Sequence, residues 1–311
     1  MTTSQGKSRM LWSALALWAC ISGDAFAADV SYKFVSIDGI KIFYREAGDP
    51  QKPTILLLHG FPSSSHMFRD LIPELDDRFH VVAPDYPGMG NSEAPPAAKF
   101  TATFDSVAEV MDKFVQAIGV TNVILYMQDF GGPIGMRLAV KQPGRVRGII
   151  IQNIPVSLDG WEPTRLKAVQ DNAGPETPAK RAAAESRVVL ATDLFLYRHG
   201  ARNPAGLNPD AWTNDALALA NPESRRVMTD LQIDIPSNLS LYAQWQDYLR
   251  ANKPKTLVVW GDGDPIFVPR GADAYKGFVP GAEIYHYHTG HFALEEEHSD
   301  IARQIIRFFG E

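Results

Sequence analysis

Short, fully apolar runs alternate along the chain with stretches whose apolar residues recur every three or four positions. Runs at 54–58, 79–83, 123–127, 146–152, 256–260 and 284–287 read as buried strands, since neither face is polar over a strand's length. Two earlier runs, 30–35 and 40–45, flank Asp38-Gly39, a dipeptide suited to a tight hairpin turn. Residues 104–118 set Val107, Val110, Met111, Phe114 and Val115 on one helical face, and 301–309 closes the chain in the same way. Strands alternating with helices predict an α/β fold: a mostly parallel central sheet, helices on both faces, and antiparallel strands at one edge. The rhythm stops between 155 and 236. That stretch is rich in Ala, Pro, Asn and charge, and only 182–190 and 215–220 read as helices. It is expected to be an inserted helical cap between two parts of one core, 28–154 and 237–311.

The first 27 residues follow another pattern. Lys7 and Arg9 precede an uncharged, mostly apolar run at 10–21, and Ala25-Phe26-Ala27 puts small residues around a cleavage position. This is the pattern of a secretory signal peptide cut after Ala27, and it predicts a periplasmic or secreted mature chain. The run is shorter than the about 20 residues of a spanning helix, and no later run is longer, so no integral membrane segment is expected in the mature chain. Cys20, the only cysteine, lies in the segment to be removed, which excludes an internal disulfide framework.

Thirty Lys+Arg against 36 Asp+Glu give a net charge of −6, the wrong sign for a nucleic-acid partner. A hydrophobic content of 45% excludes a disordered chain. There is no H-E-x-x-H motif and no cysteine pair, so no metal is expected. Gly88-Met89-Gly90 lacks the full dinucleotide fingerprint, and no cofactor is expected either. The expected partner is a small hydrophobic substrate, and the oligomeric state is not set by any of these features.

Candidate chemistry sits at the ends of the apolar runs. The run at 54–58 ends in His59-Gly60-Phe61-Pro62. The next leads to Asp85-Tyr86-Pro87-Gly88-Met89-Gly90-Asn91-Ser92, and the third to Gln128-Asp129-Phe130-Gly131-Gly132. Trp260-Gly261-Asp262-Gly263-Asp264-Pro265 and Gly290-His291-Phe292 follow late in the chain. In this order the motifs resemble the α/β-hydrolase fold family over nearly the whole mature chain. Where most members place Ser at a sharp strand-to-helix turn, this chain has Asp129, so it resembles the epoxide hydrolases and haloalkane dehalogenases. The resemblance implies that Asp129 attacks a saturated carbon and forms an alkyl ester. His291 would then activate water against that ester, oriented by Asp264. The backbone N–H groups of Phe61 and Phe130 would hold the oxyanion.

Asp262 competes with Asp264 for the acid position, and Asn153 stands where some dehalogenases place theirs. Met127 is bulkier than the residue usual two before the nucleophile. His59 is expected to be structural, and the Phe61-Pro62 bond to be cis. An epoxide hydrolase needs an acid for the departing alkoxide, for which Tyr197 and Tyr242 are the candidates. A dehalogenase needs N–H donors for the halide, which Trp161 or Trp212 could supply. Phe130, which lacks an N–H on its ring, and His59-Gly60-Phe61-Pro62 favour epoxide hydrolysis. Gln128 is more like a dehalogenase subgroup. A secreted binding protein of the same fold, without catalysis, is the third reading.

Overall fold

The computed structural model describes residues 1–2 and 30–310. The expected signal peptide therefore lies outside the described residues, its first two positions apart. Eight strands form one sheet: β1 (Ser31–Ile37), β2 (Ile40–Ala47), β3 (Thr54–Leu58), β4 (His80–Pro84), β5 (Val123–Gln128), β6 (Val146–Gln152), β7 (Lys255–Gly261) and β8 (Glu283–Tyr287). Their order is β1-β2-β4-β3-β5-β6-β7-β8. Strands β3 to β8 pair in parallel, while β1 and β2 add antiparallel strands at one edge. The hairpin joining β1 to β2 turns at Asp38 and Gly39, both at positive φ (49° and 79°), which matches the twist of the flanking strands.

Every residue of β3, β4 and β5 is buried, as a sheet covered on both faces requires. The helices are α1 (Ile72–Leu75), α2 (Phe104–Ala117), α3 (Gly131–Lys141), α4 (Pro163–Asp171), α5 (Pro178–Glu185), α6 (Leu190–Arg198), α7 (Asp210–Ala220), α8 (Pro222–Asn252), α9 (Arg270–Asp273), α10 (Tyr275–Phe278) and α11 (Leu294–Phe309). Helix α2 begins at a capping box in which Thr103 and Ser106 satisfy each other's backbone N–H groups. Among the described residues no helix is long and apolar enough to cross a membrane.

Between β6 and β7 the chain makes its long excursion through α4 to α8. The boundary expected at 236 falls inside α8, a single 31-residue helix that runs on through Pro236. Proline ordinarily ends a helix because it lacks an N–H and crowds the preceding turn. Here α8 as a whole packs against α3, α5 and α7. The helix expected at 182–190 is in fact two, α5 and α6, parted at Ser186–Val189, and the one expected at 215–220 starts earlier, at Asp210.

The sheet order reverses direction at β3, which lies between β4 and β5. Connections leaving neighbouring strand ends in opposite directions open a crevice there, the usual ligand site of a parallel sheet. Phe61, just past β3, and Asp129, just past β5, both stand at this crevice.

Candidate active site

Asp129 is the first of the two residues, Asp129 and Phe130, between β5 and α3, and sits at φ 46°. A non-glycine residue at positive φ is uncommon and costs about 1–3 kcal/mol, a strain that the surrounding structure must hold. The turn is tight because the neighbours are glycines. A Cβ on Gly131 would lie 2.1 Å from the Leu58 carbonyl oxygen, and one on Gly60 would lie 2.5 Å from the Asp129 Cβ. Met127 does not loosen the turn. Its side chain is fully buried and points instead toward Gly135 on α3.

The backbone N–H of Phe61 donates to Asp129 Oδ1 at 2.8 Å, and that of Phe130 lies close enough to favour the charged carboxylate. The Phe61–Pro62 peptide bond is cis. Burial pushes the Asp129 carboxyl above the usual range; His291 and the two N–H groups work against that rise. His291 Nε2 stands 3.8 Å from the other oxygen, Asp129 Oδ2. The two oxygens are thus differentiated: Oδ1 accepts the Phe61 N–H, while Oδ2 faces the histidine.

His291 is buried, and its Nδ1 lies 2.7 Å from Asp264 Oδ2. Burial alone would lower the imidazole, but Asp264 and then Asp129 outweigh it and hold His291 above its ordinary value. Asp264 is itself supported from three sides. Ile266 and Phe267 donate backbone N–H groups to Oδ1, and Asn153 donates its amide to Oδ2 at 2.8 Å. Asp262 is half-exposed and pairs with His286 at 2.7 Å, so it plays no part in this cluster.

Two residues matter here more than the sequence patterns indicate. Asn153, at φ 48°, exchanges hydrogen bonds with the Gly261 backbone while holding Asp264, and so ties the end of β6 to the end of β7. Gln128 places its amide nitrogen 3.0 Å from His291 Nε2 and its carbonyl oxygen is buried without a partner. A polar residue in the otherwise apolar run of β5 was the visible signal. His59 is fully buried, with Nδ1 bonded to the Gly60 carbonyl and Nε2 accepting the Tyr86 N–H, and burial lowers its pKa; it supports the loop as a neutral ring. Asp85 similarly pins that region, accepting N–H groups from Ser65 and Asn91.

The crevice opens into a cavity of about 200 Å³ that Asp129 lines together with Phe61, Phe130, Trp161, Tyr242 and Trp245. Tyr242 and Trp161 meet in this wall: the Trp161 Nε1–H donates to the Tyr242 hydroxyl at 2.8 Å. The Tyr242 hydroxyl donates to nothing among the described residues, so its own proton is free. Burial raises Tyr242, and the Trp161 donor opposes the rise.

Tyr197 and Trp212 do not reach the cavity. Tyr197 stacks on Phe292 at 4.0 Å and donates its hydroxyl to Asp215 at 2.9 Å. Trp212 packs against Tyr197 and lies under the Arg198 guanidinium. Both were plausible as cap aromatics, but they serve the packing of α6 and α7. Among the described residues no group of three His, Cys, Asp or Glu side chains could hold a metal ion.

Comparison with known proteins agrees with this geometry. The profile of the alpha/beta hydrolase fold family matches residues 53–298. An uncharacterized hydrolase of Saccharomyces cerevisiae is 38% identical over 279 residues, 88% of this chain and 95% of its own. Haloalkane dehalogenase 2 of Mycobacterium tuberculosis is 31% identical over 274 residues, 83% of this chain and 88% of its own. Among solved structures, a haloalkane dehalogenase of Bradyrhizobium elkani superposes with a TM-score of 0.73 at 21% identity, covering 89% of this chain and 96% of that one, a likeness of fold. The chain therefore belongs to the α/β-hydrolase fold family and is a hydrolase related to the haloalkane dehalogenases.

Proposed function

We propose that this hydrolase cleaves a carbon–oxygen bond of an epoxide through an ester on Asp129. Oδ2 of Asp129 attacks the less hindered ring carbon. The C–O bond breaks, its electron pair goes to the ring oxygen, and that oxygen takes the hydroxyl proton of Tyr242. Water then gives a proton to His291 and attacks the carboxyl carbon of the ester. The resulting oxyanion forms on Oδ1, which already accepts the Phe61 N–H, with the Phe130 N–H as its second donor. Collapse releases the diol and returns Asp129 to its carboxylate. His291's proton restores Tyr242 by way of solvent. The observation that carries the reading is the free hydroxyl proton of Tyr242 in the wall of the cavity that holds Asp129. An alkoxide must be protonated as it leaves, whereas a halide only needs donors.

The named activity of the mycobacterial relative favours a second reading, hydrolytic dehalogenation. The carbon–halogen bond would then break with its electron pair on the halide. Tyr242 and, one turn earlier on α8, the free amide N–H group of Asn238 would be the donors, since the Asn238 oxygen is occupied by Arg137. A panel of terminal epoxides and haloalkanes, scored separately for diol and halide, decides between them. With the productive substrate, His291→Gln should accumulate an adduct of the substrate's alkyl mass on the Asp129 peptide, and Asp129→Asn should form none. Heavy oxygen from solvent in the first-turnover product would overturn the covalent route.

Two further features belong to the same proposal. The excursion through α4 to α7 and the first part of α8 serves as the cap that closes the cavity. The Ala25-Phe26-Ala27 site supports export, and a secreted protein beginning at Ala28 rather than Met1 is the expected product.

A further inference from the structure

Two arginines also line the cavity: Arg165 of α4, an exposed residue, and Arg187 in the link between α5 and α6. Arg187 is half-buried, and among the described residues its side chain bonds only the Gln232 amide oxygen, through Nε at 3.3 Å, which leaves its two terminal nitrogens unspent. The Arg165 side chain has neither an ion pair nor a hydrogen bond among the described residues. Burial lowers the Arg187 pKa, and the charge of Arg165 lowers it further; no carboxylate offsets either effect.

The acids of α4 and α8 are committed elsewhere. Asp230 binds Arg181 and Arg226, Asp234 accepts the Phe104 N–H, Glu162 caps the start of α4, and Asp171 pairs with Lys167. In a chain with six more acidic than basic residues, the half-buried charge of Arg187, with the like charge of Arg165 acting on it, is a cost unless an anion joins them. The planar fork of a guanidinium matches a carboxylate edge to edge.

We propose that Arg165 and Arg187 bind the carboxylate of an amphipathic substrate, whose apolar body fills the cavity and whose electrophilic carbon lies at Asp129. This rests on the reading of Asp129 as nucleophile and names the substrate class for it: an epoxide, or on the second reading a halide, carried on an aliphatic acid.

The test uses ligands that cannot react. Trp161 and Trp245 line the cavity, so their fluorescence reports occupancy. Octanoate, 1-octanol and octyl phosphate are titrated into the whole protein at pH 7.5 and low salt. Octanoate should bind about tenfold or more tighter than octanol, the gain expected of a charge-assisted pair. Arg165→Gln/Arg187→Gln should abolish the preference while leaving octanol affinity and melting temperature unchanged, and Arg187→Lys should keep part of it. Equal affinity for octanoate and octanol, a preference that survives the double variant, or tighter binding of octyl phosphate would each overturn the proposal. Because no turnover is measured, failure here leaves the covalent mechanism standing. A carboxylate preference without turnover of any epoxide or halide would instead reject the mechanism alone.

Discussion

Two buried carboxyl clusters in the molecule are served very differently. Asp264 in the core receives two backbone N–H groups, the Asn153 amide and the His291 ring. Asp193 on α6 is as deeply buried, yet neither of its oxygens has a partner. Its neighbour Asp215 on α7 has one occupied oxygen, which accepts the Tyr197 hydroxyl, and one that is empty. Burial pushes Asp193 up strongly, helped by the charge of Asp215; burial pushes Asp215 up as well, against the pull of Tyr197 and Ser63. Donors let a buried carboxylate keep its charge, and without donors a buried acid keeps its proton. The core cluster is built to carry charge, whereas the one between α6 and α7 is built to avoid it.

The largest expected effect comes from removing the charge that the core cluster supports. Asp264→Asn should slow ester hydrolysis by about 10⁴-fold with the fold intact, since His291 loses both orientation and its counter-charge. Asp193→Asn should leave turnover within a small factor of wild type. If Asp262→Asn proves the more damaging of the two β7-loop changes, the pairing of His291 with Asp264 is not the working one. Next come the two tyrosines. On the epoxide reading Tyr242→Phe should slow single-turnover alkylation of Asp129 by about 10²-fold or more. Tyr197→Phe should leave that step alone and cost about 1 kcal/mol of stability in urea denaturation, because Asp215 loses its donor.

A smaller effect sharpens the electrostatic contrast. Followed by NMR, His291 in the free protein should titrate above the ordinary imidazole value of about 6.5. Asp264→Asn should lower that midpoint most and Asp129→Asn less. A midpoint below 6.5 in the wild type would mean that burial dominates.

The last effect is on the pH dependence of stability. The folded pKa of Asp193 is raised to about 9, above its unfolded value. Its contribution is therefore complete at acid pH, below the ordinary aspartate range, and is lost as pH rises toward the folded value. Between pH 5 and 8 this proton alone gives a slope of up to about 1.4 kcal/mol per pH unit. Asp193→Asn should flatten the wild-type curve by that amount in chemical denaturation across the range. An unchanged slope would show that Asp193 is ionised in the folded protein.

The same contrast explains what could be read from sequence. The strands were legible because β3 to β7 are apolar on both faces, and such runs have few alternatives. Asp129, Asp264 and His291 were legible because each sits in a short motif fixed by backbone geometry, with glycine where the chain must pass within van der Waals distance. The helices after β6 carry a weaker signal, since their apolar faces are narrow and their ends are set by packing; Pro236 inside α8 is the plainest instance. Asp193 and Asp215 read as ordinary helical acids, because burial of a single polar position depends on which face meets a neighbour. The meeting of Trp161 with Tyr242, and the shared cavity of Arg165 and Arg187, involve residues from separate elements, and no local pattern encodes them.

Asp129 stands close enough to His291, at 3.8 Å between Nε2 and Oδ2, for its charge to raise the ring's affinity for a proton. That charge exists only while the carboxylate is free. On the proposed covalent route an ester at Asp129 would be neutral, and one of the two anions favouring imidazolium would be gone. The ring would then favour its neutral form more strongly at the moment a base is first required. Attack by water would thus be timed by the preceding step itself: alkylation would disarm the nucleophile and ready the base, with no moving part between them.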